Sequence, residues 1–200
     1  MRTPCHVWTL PNLLSSVRIA IIPVLVYLLT FTDPVSSLLA ALLFAFASVT
    51  DFFDGYLARR FGAVSSLGKI LDPLADKLII VTALIMLAAM DRAGEPQVPA
   101  WLVVTIVARE TAVTILRGIA LTEGFVMEAE ELGKYKFLLQ AVGVFALMVH
   151  FPYLGVHFYV VGIYFLLLAT VIALWSGVQY HVQFFRLLQQ RAGPGGRGAN

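Results

Sequence analysis

Charged residues are scarce in this chain. Asp, Glu, Lys and Arg make up only 13% of its 200 residues, whereas 60% of the residues are hydrophobic. This composition excludes an ordinary soluble protein and predicts an all-α integral membrane protein. The chain has one cysteine, Cys5, so it cannot form an internal disulfide bond. No internal repeat is evident in the sequence.

Two other signals of function are also missing. The four histidines lack metal-ligand spacing among themselves: His6, His150, His157 and His181. The 14 Lys and Arg residues follow membrane topology and do not form one soluble basic face, so we expect no nucleic-acid partner.

Long apolar segments divide the chain into six predicted transmembrane helices. The length allows one domain, so we assign residues 1–190 to a single six-helix catalytic domain and the glycine-rich residues 191–200 to a flexible tail. The predicted spans are Leu13–Phe31, Ser36–Arg59, Leu67–Met90, Ala100–Arg117, Phe137–Phe151 and Val156–Trp175, the last of which can extend to Leu188.

Four carboxylates interrupt this apolar pattern. Asp51 and Asp54 lie near the inner end of the second span, and Asp72 and Asp76 lie near the start of the third. Spacings of three and four residues place each pair on one helix face. Each charge at bilayer depth costs about 2.5–3.5 kcal/mol on the insertion scale. Bound Mg²⁺ or Mn²⁺, which prefer oxygen ligands, would offset this cost, so the pattern predicts a divalent-metal site.

Basic residues are distributed very unevenly about the six spans. On this assignment Arg92 is the only basic residue on the far side, and the other 13 of the 14 lie on the near side or in spans that enter from it. The positive-inside rule then predicts a multi-pass protein of the cytoplasmic (inner) membrane. Both termini and the four aspartates are predicted to lie on the cytoplasmic side.

The acidic stretch also matches a family signature. The pattern D-x2-D-G-x2-A-R-x8-G-x3-D-x3-D is filled at every fixed position by Asp51, Asp54, Gly55, Ala58, Arg59, Gly68, Asp72 and Asp76. The chain therefore resembles the CDP-alcohol phosphatidyltransferases, membrane enzymes of phospholipid biosynthesis. The resemblance implies that this chain has the fold of that family. It also implies that the protein is a homodimer and that membrane lipids are its partners.

The resemblance also implies a reaction and its residues. A phosphatidyl group would pass from CDP-diacylglycerol to an acceptor hydroxyl, and CMP would leave. Two divalent ions, Mg²⁺ or Mn²⁺, would be bound by Asp51, Asp54, Asp72 and Asp76, and Asp76 would also act as the catalytic base. The implied CDP-binding residues are Asp54, Gly55, Ala58, Arg59 and Gly68.

Segments outside the signature indicate which acceptor the enzyme would use. They are Leu10–Pro23, Ala108-Arg109-Glu110, Gly133-Lys134-Tyr135-Lys136 with Gln140, and Ser176-Gly177 with Tyr180. Together they resemble the members of the family that use sn-glycerol 3-phosphate as the acceptor. Phe137 departs from the pattern, in which we expect threonine after the second lysine.

Basic residues give candidate ligands for the phosphate of such an acceptor. Arg109 lies within the fourth span, where an arginine is a functional candidate and a buried ion pair is the alternative. We do not expect Glu110 to be its partner, because consecutive helix residues point about 100° apart. Arg117, Lys134 and Lys136 add positive charge, with membrane anchoring as the alternative role for each.

Three other functions stay open. The first is a family member with a different acceptor, such as a cardiolipin-synthase-like enzyme that uses phosphatidylglycerol; the Arg and Lys set favours a soluble phosphorylated acceptor over it. The second is a cation transporter, although the acids are predicted at helix ends and not at mid-bilayer. The third is an inactive relative that acts as an interaction partner, although all four aspartates are present.

Overall fold

The computed structural model of the protein describes the backbone of residues 10–61, 68–92, 95–122, 131–152 and 155–192. Within these ranges, side chains are described for residues 16–50, 77–90, 97–120, 122, 133, 135–152 and 155–189. Six α-helices fill most of this part of the chain: α1 (Leu10–Leu29), α2 (Pro34–Phe61), α3 (Gly68–Ala89), α4 (Ala100–Thr122), α5 (Glu131–Val149) and α6 (Phe158–Ala192). Each helix overlaps one predicted span, and the predicted helical class is confirmed.

A very short hairpin connects α3 to α4. Strand β1 (Asp91–Arg92) pairs antiparallel with strand β2 (Glu95–Pro96), with Asp91 opposite Pro96. This hairpin lies between the third and fourth predicted spans, and it is the only strand pairing within the described ranges.

One described helix is long and apolar enough to cross a membrane by itself. This segment is Phe158–Gln189 of α6. Four of the other helices contain shorter apolar segments, each 10–17 residues long within the described part of the chain: Ser16–Leu29, Pro34–Thr50, Lys77–Ala89 and Tyr135–Val149. The number of six membrane spans therefore stays a prediction.

The start of α2 is fixed by an acidic cap. The backbone N–H of Ser36 donates to Asp33 Oδ2 at 2.9 Å, and the N–H of Ser37 donates to the Asp33 carbonyl at 3.1 Å. Pro34 takes the first helical position, where its missing N–H costs no hydrogen bond. The Ser36 bond lowers the pKa of Asp33 below its usual value, because it stabilises the ionised carboxylate.

Several helices, among them α5 and α6, extend beyond the apolar runs that predict them. Helix α5 begins at Glu131, ahead of the predicted start at Phe137, and α6 continues through Arg191 and Ala192, the first residues of the predicted tail. A helix satisfies its backbone hydrogen bonds internally, so it continues from apolar into polar surroundings without a break. Apolar runs therefore locate a helix better than they locate its ends.

Apolar side chains from all six helices form one core. Helix α1 packs on α2 and α3, α5 packs on α2 and α6, and α4 packs on α6. Fully buried members of this core include Leu25, Phe44, Leu84, Leu102 and Leu147. A second buried cluster joins the later part of α4 to α6: Val113, Leu116, Ala120, Tyr180 and Phe184.

Helices α5 and α6 cross closely at two glycines. A Cβ atom on Gly162 would lie 2.6 Å from Leu147 Cγ and 3.0 Å from the carbonyl oxygen of Gly143. A Cβ atom on Gly143 would lie 3.1 Å from both the Gly162 carbonyl oxygen and the backbone nitrogen of Leu166. Glycine is therefore required at Gly162 for this approach, and the crossing fixes the position of α6 relative to α5.

Candidate active site

The four predicted metal-binding aspartates lie on two consecutive helices. Asp51 and Asp54 are in the C-terminal half of α2, and Asp72 and Asp76 are in the first half of α3. Both helices pack against α1. The side chains of all four lie outside the described residues, so their assignment as metal ligands, and that of Asp76 as the base, stay predictions. The same applies to the predicted CDP-binding residues Asp54, Gly55, Ala58, Arg59 and Gly68.

A second set of charged residues is described in detail, and Arg109 of α4 is at its centre. Arg109 Nε donates to the carbonyl oxygen of Ala173 at 2.7 Å, and Nη2 donates to Ser176 Oγ at 2.7 Å. Nη1 donates to Glu110 Oε1 at 2.9 Å. The Arg109 side chain is only 9% exposed, so these contacts hold the guanidinium inside the helix bundle.

Glu110 does pair with Arg109, so the expectation that neighbouring helix residues would not meet is wrong. The Cβ directions of two consecutive residues diverge, but both side chains are long enough for their ends to converge. Glu110 Oε1 also accepts a hydrogen bond from Lys136 Nζ of α5. One carboxylate therefore joins a cation of α4 to a cation of α5.

This group, Arg109, Glu110 and Lys136, carries excess positive charge in a buried place. The side chains of Lys136 and Glu110 are 8% and 15% exposed. Burial of a charge is costly unless a partner compensates it, and here one carboxylate faces two cations. The group would therefore gain from a second anion. A phosphate bound there would receive charge-assisted hydrogen bonds.

Lys77 is a fourth charged residue at this place, and it was not among the predicted site residues. It follows Asp76 on α3, and its Nζ donates to Thr114 Oγ1 of α4. Thr114 Oγ1 donates in turn to the backbone carbonyl of Glu110 at 2.6 Å. The charge of Lys77 also acts on Glu110 and Lys136. Its position directly after the signature, as a cation within the third predicted span, was a signal that could have identified it.

Arg117 lies apart from this group. Its guanidinium carbon is 4.5 Å from the centre of the Tyr180 ring, and Nη2 donates to the Tyr180 hydroxyl. Eight residues separate Arg117 from Arg109, which corresponds to about 12 Å along a helix. In the part of the chain that the structure describes, no hydrogen bond or ion pair links the two arginines. The side chain of Lys134 lies outside the described residues.

Comparison with known proteins decides the family. Residues 8–178 match the family model described as CDP-alcohol phosphatidyltransferase. The chain belongs to this family. The match covers both aspartate-bearing helices and the Arg109, Glu110 and Lys136 group, so the resemblance stated from the signature is confirmed.

Individual relatives carry two different names. The CDP-diacylglycerol–glycerol-3-phosphate 3-phosphatidyltransferase of Bacillus subtilis (strain 168) is 43% identical over 155 residues, which cover 72% of this chain and 78% of the relative. The enzyme of the same name from Rickettsia bellii (strain RML369-C) is 41% identical over 140 residues, which cover 70% of this chain and 73% of the relative. A cardiolipin synthase (CMP-forming) of Streptomyces coelicolor is 34% identical over 197 residues, which cover 92% of this chain and 86% of the relative.

Proposed function

We propose that the protein transfers the phosphatidyl group of CDP-diacylglycerol to sn-glycerol 3-phosphate, which yields phosphatidylglycerophosphate and CMP. Family membership and the names of the Bacillus and Rickettsia relatives support this reaction. The observation that carries the choice of acceptor is the buried group of Arg109, Glu110 and Lys136, in which two cations share one carboxylate.

The acceptor phosphate is proposed to bind at this group. A guanidinium has five N–H donors, and Arg109 uses three of them on Ala173, Ser176 and Glu110. Two donors remain, one on each terminal nitrogen, which suits two oxygens of a phosphate. Lys136 supplies the second charge, and Lys77 contributes a third positive charge nearby.

The two other predicted ligands of the acceptor phosphate, Arg117 and Lys134, are also part of this proposal. Arg117, on Tyr180, lies about two helical turns away along α4 and is better placed to attract the acceptor than to hold it. Lys134 precedes Lys136 by two residues on α5 and stays a predicted ligand.

The reaction is proposed to follow the roles implied by the signature. The acceptor hydroxyl oxygen bonds to the phosphorus that carries the lipid, the bond from this phosphorus to CMP breaks, and Asp76 takes the hydroxyl proton. The nucleotide would lie against Gly55, Ala58 and Gly68, with Asp54 and Arg59 beside it. Four carboxylates are an oxygen donor set that suits Mg²⁺ or Mn²⁺, and two such ions held by Asp51, Asp54, Asp72 and Asp76 would neutralise pyrophosphate charge.

The membrane arrangement is part of the proposal. Each of the six helices overlaps a predicted span, and α6 is long enough to cross a bilayer. The distribution of basic residues supports six spans with both termini and the active site on the cytoplasmic side of the inner membrane. A homodimer is proposed from the family resemblance alone.

A second candidate function is cardiolipin synthesis. The Streptomyces relative with that name covers 92% of this chain, a larger share than the Bacillus relative covers. Its lipid acceptor would be phosphatidylglycerol, whose phosphodiester is a single anion. The group of two cations and one carboxylate favours the more highly charged phosphate of glycerol 3-phosphate.

An acceptor panel tests the proposal directly. Purified protein in detergent micelles receives CDP-diacylglycerol, Mg²⁺ or Mn²⁺, and one of three acceptors: sn-glycerol 3-phosphate, glycerol or phosphatidylglycerol. We expect CMP release to depend on glycerol 3-phosphate and to be weak with the other two. Release that depends on phosphatidylglycerol would instead support the second candidate, and release with glycerol alone would contradict the acceptor site.

A further inference from the structure

We propose that α6 positions the acceptor-binding arginine, and that Ser176 is the positioning residue. This inference rests on the proposed function, because it concerns the orientation of Arg109 toward the acceptor phosphate. It adds a role for α6, which contributes no carboxylate and no cation to the proposed site.

The contacts between Arg109 and α6 are specific and buried. Ser176 is 0% exposed, and its Oγ accepts from Arg109 Nη2 at 2.7 Å. The carbonyl oxygen of Ala173, one turn earlier on the same face of α6, accepts from Arg109 Nε at 2.7 Å. Nε and Nη2 lie along one edge of the guanidinium, so α6 holds that edge at two points.

Gly177 completes the surface against which Arg109 lies. A Cβ atom on Gly177 would be 3.5 Å from both Arg109 Cγ and Arg109 Nε, which is ordinary contact distance. The arginine stem therefore runs directly along α6, and an added side chain larger than a methyl group would meet it. Ala173, Ser176 and Gly177 together form the surface of α6 along which the Arg109 side chain lies.

The orientation has a consequence for acceptor binding. With one edge held by α6 and Nη1 bonded to Glu110, the remaining donors on the two terminal nitrogens have a fixed direction. Loss of the Ser176 hydroxyl removes one of the two fixing points and frees the guanidinium to turn. The arginine keeps its charge and its place on α4, so the loss acts on acceptor binding and not on the nucleotide.

The test combines Ser176→Ala with a matched control, Thr170→Val. Thr170 is a buried hydroxyl residue on the same helix, but its Oγ1 donates only to the Leu166 carbonyl of α6 itself, at 2.7 Å. We expect Ser176→Ala to raise the KM for glycerol 3-phosphate by about 3- to 10-fold, the scale of one ordinary hydrogen bond, because the lost bond orients Arg109 and does not itself contact the acceptor. The KM for CDP-diacylglycerol should change less than about 2-fold, and Thr170→Val should leave both constants near wild type.

A double-mutant cycle shows whether Ser176 acts through Arg109. Arg109→Met has no donor for Ser176, so Ser176→Ala in that background should change kcat/KM for the acceptor less than about 2-fold. An equal effect of Ser176→Ala in both backgrounds would overturn the inference, as would a rise in the KM for CDP-diacylglycerol alone.

The wild-type acceptor panel separates this inference from the proposed function. If wild-type protein uses phosphatidylglycerol, the proposed function fails, and the cycle is measured with phosphatidylglycerol, whose phosphate is also an anion. Coupling between Ser176 and Arg109 then still supports the positioning role, and absence of coupling overturns it.

Discussion

Replacement of Arg109 by lysine is the most direct test of the acceptor site. The change keeps the positive charge on α4 but replaces a planar fork by a single nitrogen. Arg109 reaches Ala173, Ser176 and Glu110 from three different nitrogens, and one ammonium group cannot make all three contacts and also bind a phosphate.

The size of the effect follows from the hydrogen bonds lost. Two donors of Arg109 remain for the acceptor phosphate, and lysine cannot present them side by side. Loss of one charge-assisted hydrogen bond costs roughly 1.5–3 kcal/mol, or about 10- to 150-fold in apparent affinity. We therefore expect Arg109→Lys to raise the KM for glycerol 3-phosphate within this range while the KM for CDP-diacylglycerol stays nearly unchanged.

The assay measures CMP release. The acceptor concentration is varied at a saturating donor concentration, and the donor concentration is then varied at a saturating acceptor concentration. Arg186→Lys is the control, because Arg186 is an exposed arginine on α6, away from the group. It should leave both KM values unchanged. If Arg109→Lys weakens only the lipid donor, or changes neither KM, then Arg109 does not bind the acceptor phosphate and the reasoning from the buried group is refuted.

Three further predictions test the rest of the molecule. Asp54→Asn, Asp72→Asn or an excess of chelator should each abolish CMP release, because each removes metal or one of its ligands; near-wild-type turnover would refute the metal assignment. Gly162→Ala should destabilise the protein by about 1–2 kcal/mol, because its Cβ meets Leu147 and the Gly143 carbonyl. Gly118→Ala meets nothing within 4 Å and should be neutral or stabilising; thermal unfolding in micelles compares the two, and equal shifts would contradict the close crossing. A cysteine at Glu95 should be labelled from outside the cytoplasmic membrane, and labelling only from the cytoplasm would contradict the six-span arrangement.

The sequence predicted best those features that depend on a short stretch of chain, namely the apolar helices and the fixed spacing of the family signature. All six helices overlap predicted spans, because a run of about 20 apolar residues carries its signal within itself. The family followed from eight residues within a short stretch, and the family match confirms it. Helix ends were less predictable, as the early start of α5 at Glu131 shows.

The partners of Arg109 were not predictable from local patterns. Ala173 and Ser176 lie 64 and 67 residues further along the chain, and only the packing of α4 on α6 brings them to Arg109. Glu110 was set aside because helix geometry separates neighbouring Cβ directions, yet long side chains overcome that separation. Side-chain length and tertiary packing decide these contacts, and neither is visible in residue spacing.

The connection through Lys77 links the two proposed halves of the active site. Lys77 follows Asp76 on α3, and its hydrogen bond to Thr114 ties α3 to α4 at the turn that carries Glu110. A movement of α3 would therefore be transmitted to the carboxylate that joins Arg109 to Lys136. The sequence neighbour of the residue proposed to accept the hydroxyl proton is thus attached by side chains to the turn of α4 that carries Glu110. Because the acceptor must present its hydroxyl to Asp76 and its phosphate to Arg109 and Lys136, this attachment would keep the distance between the two sites constant.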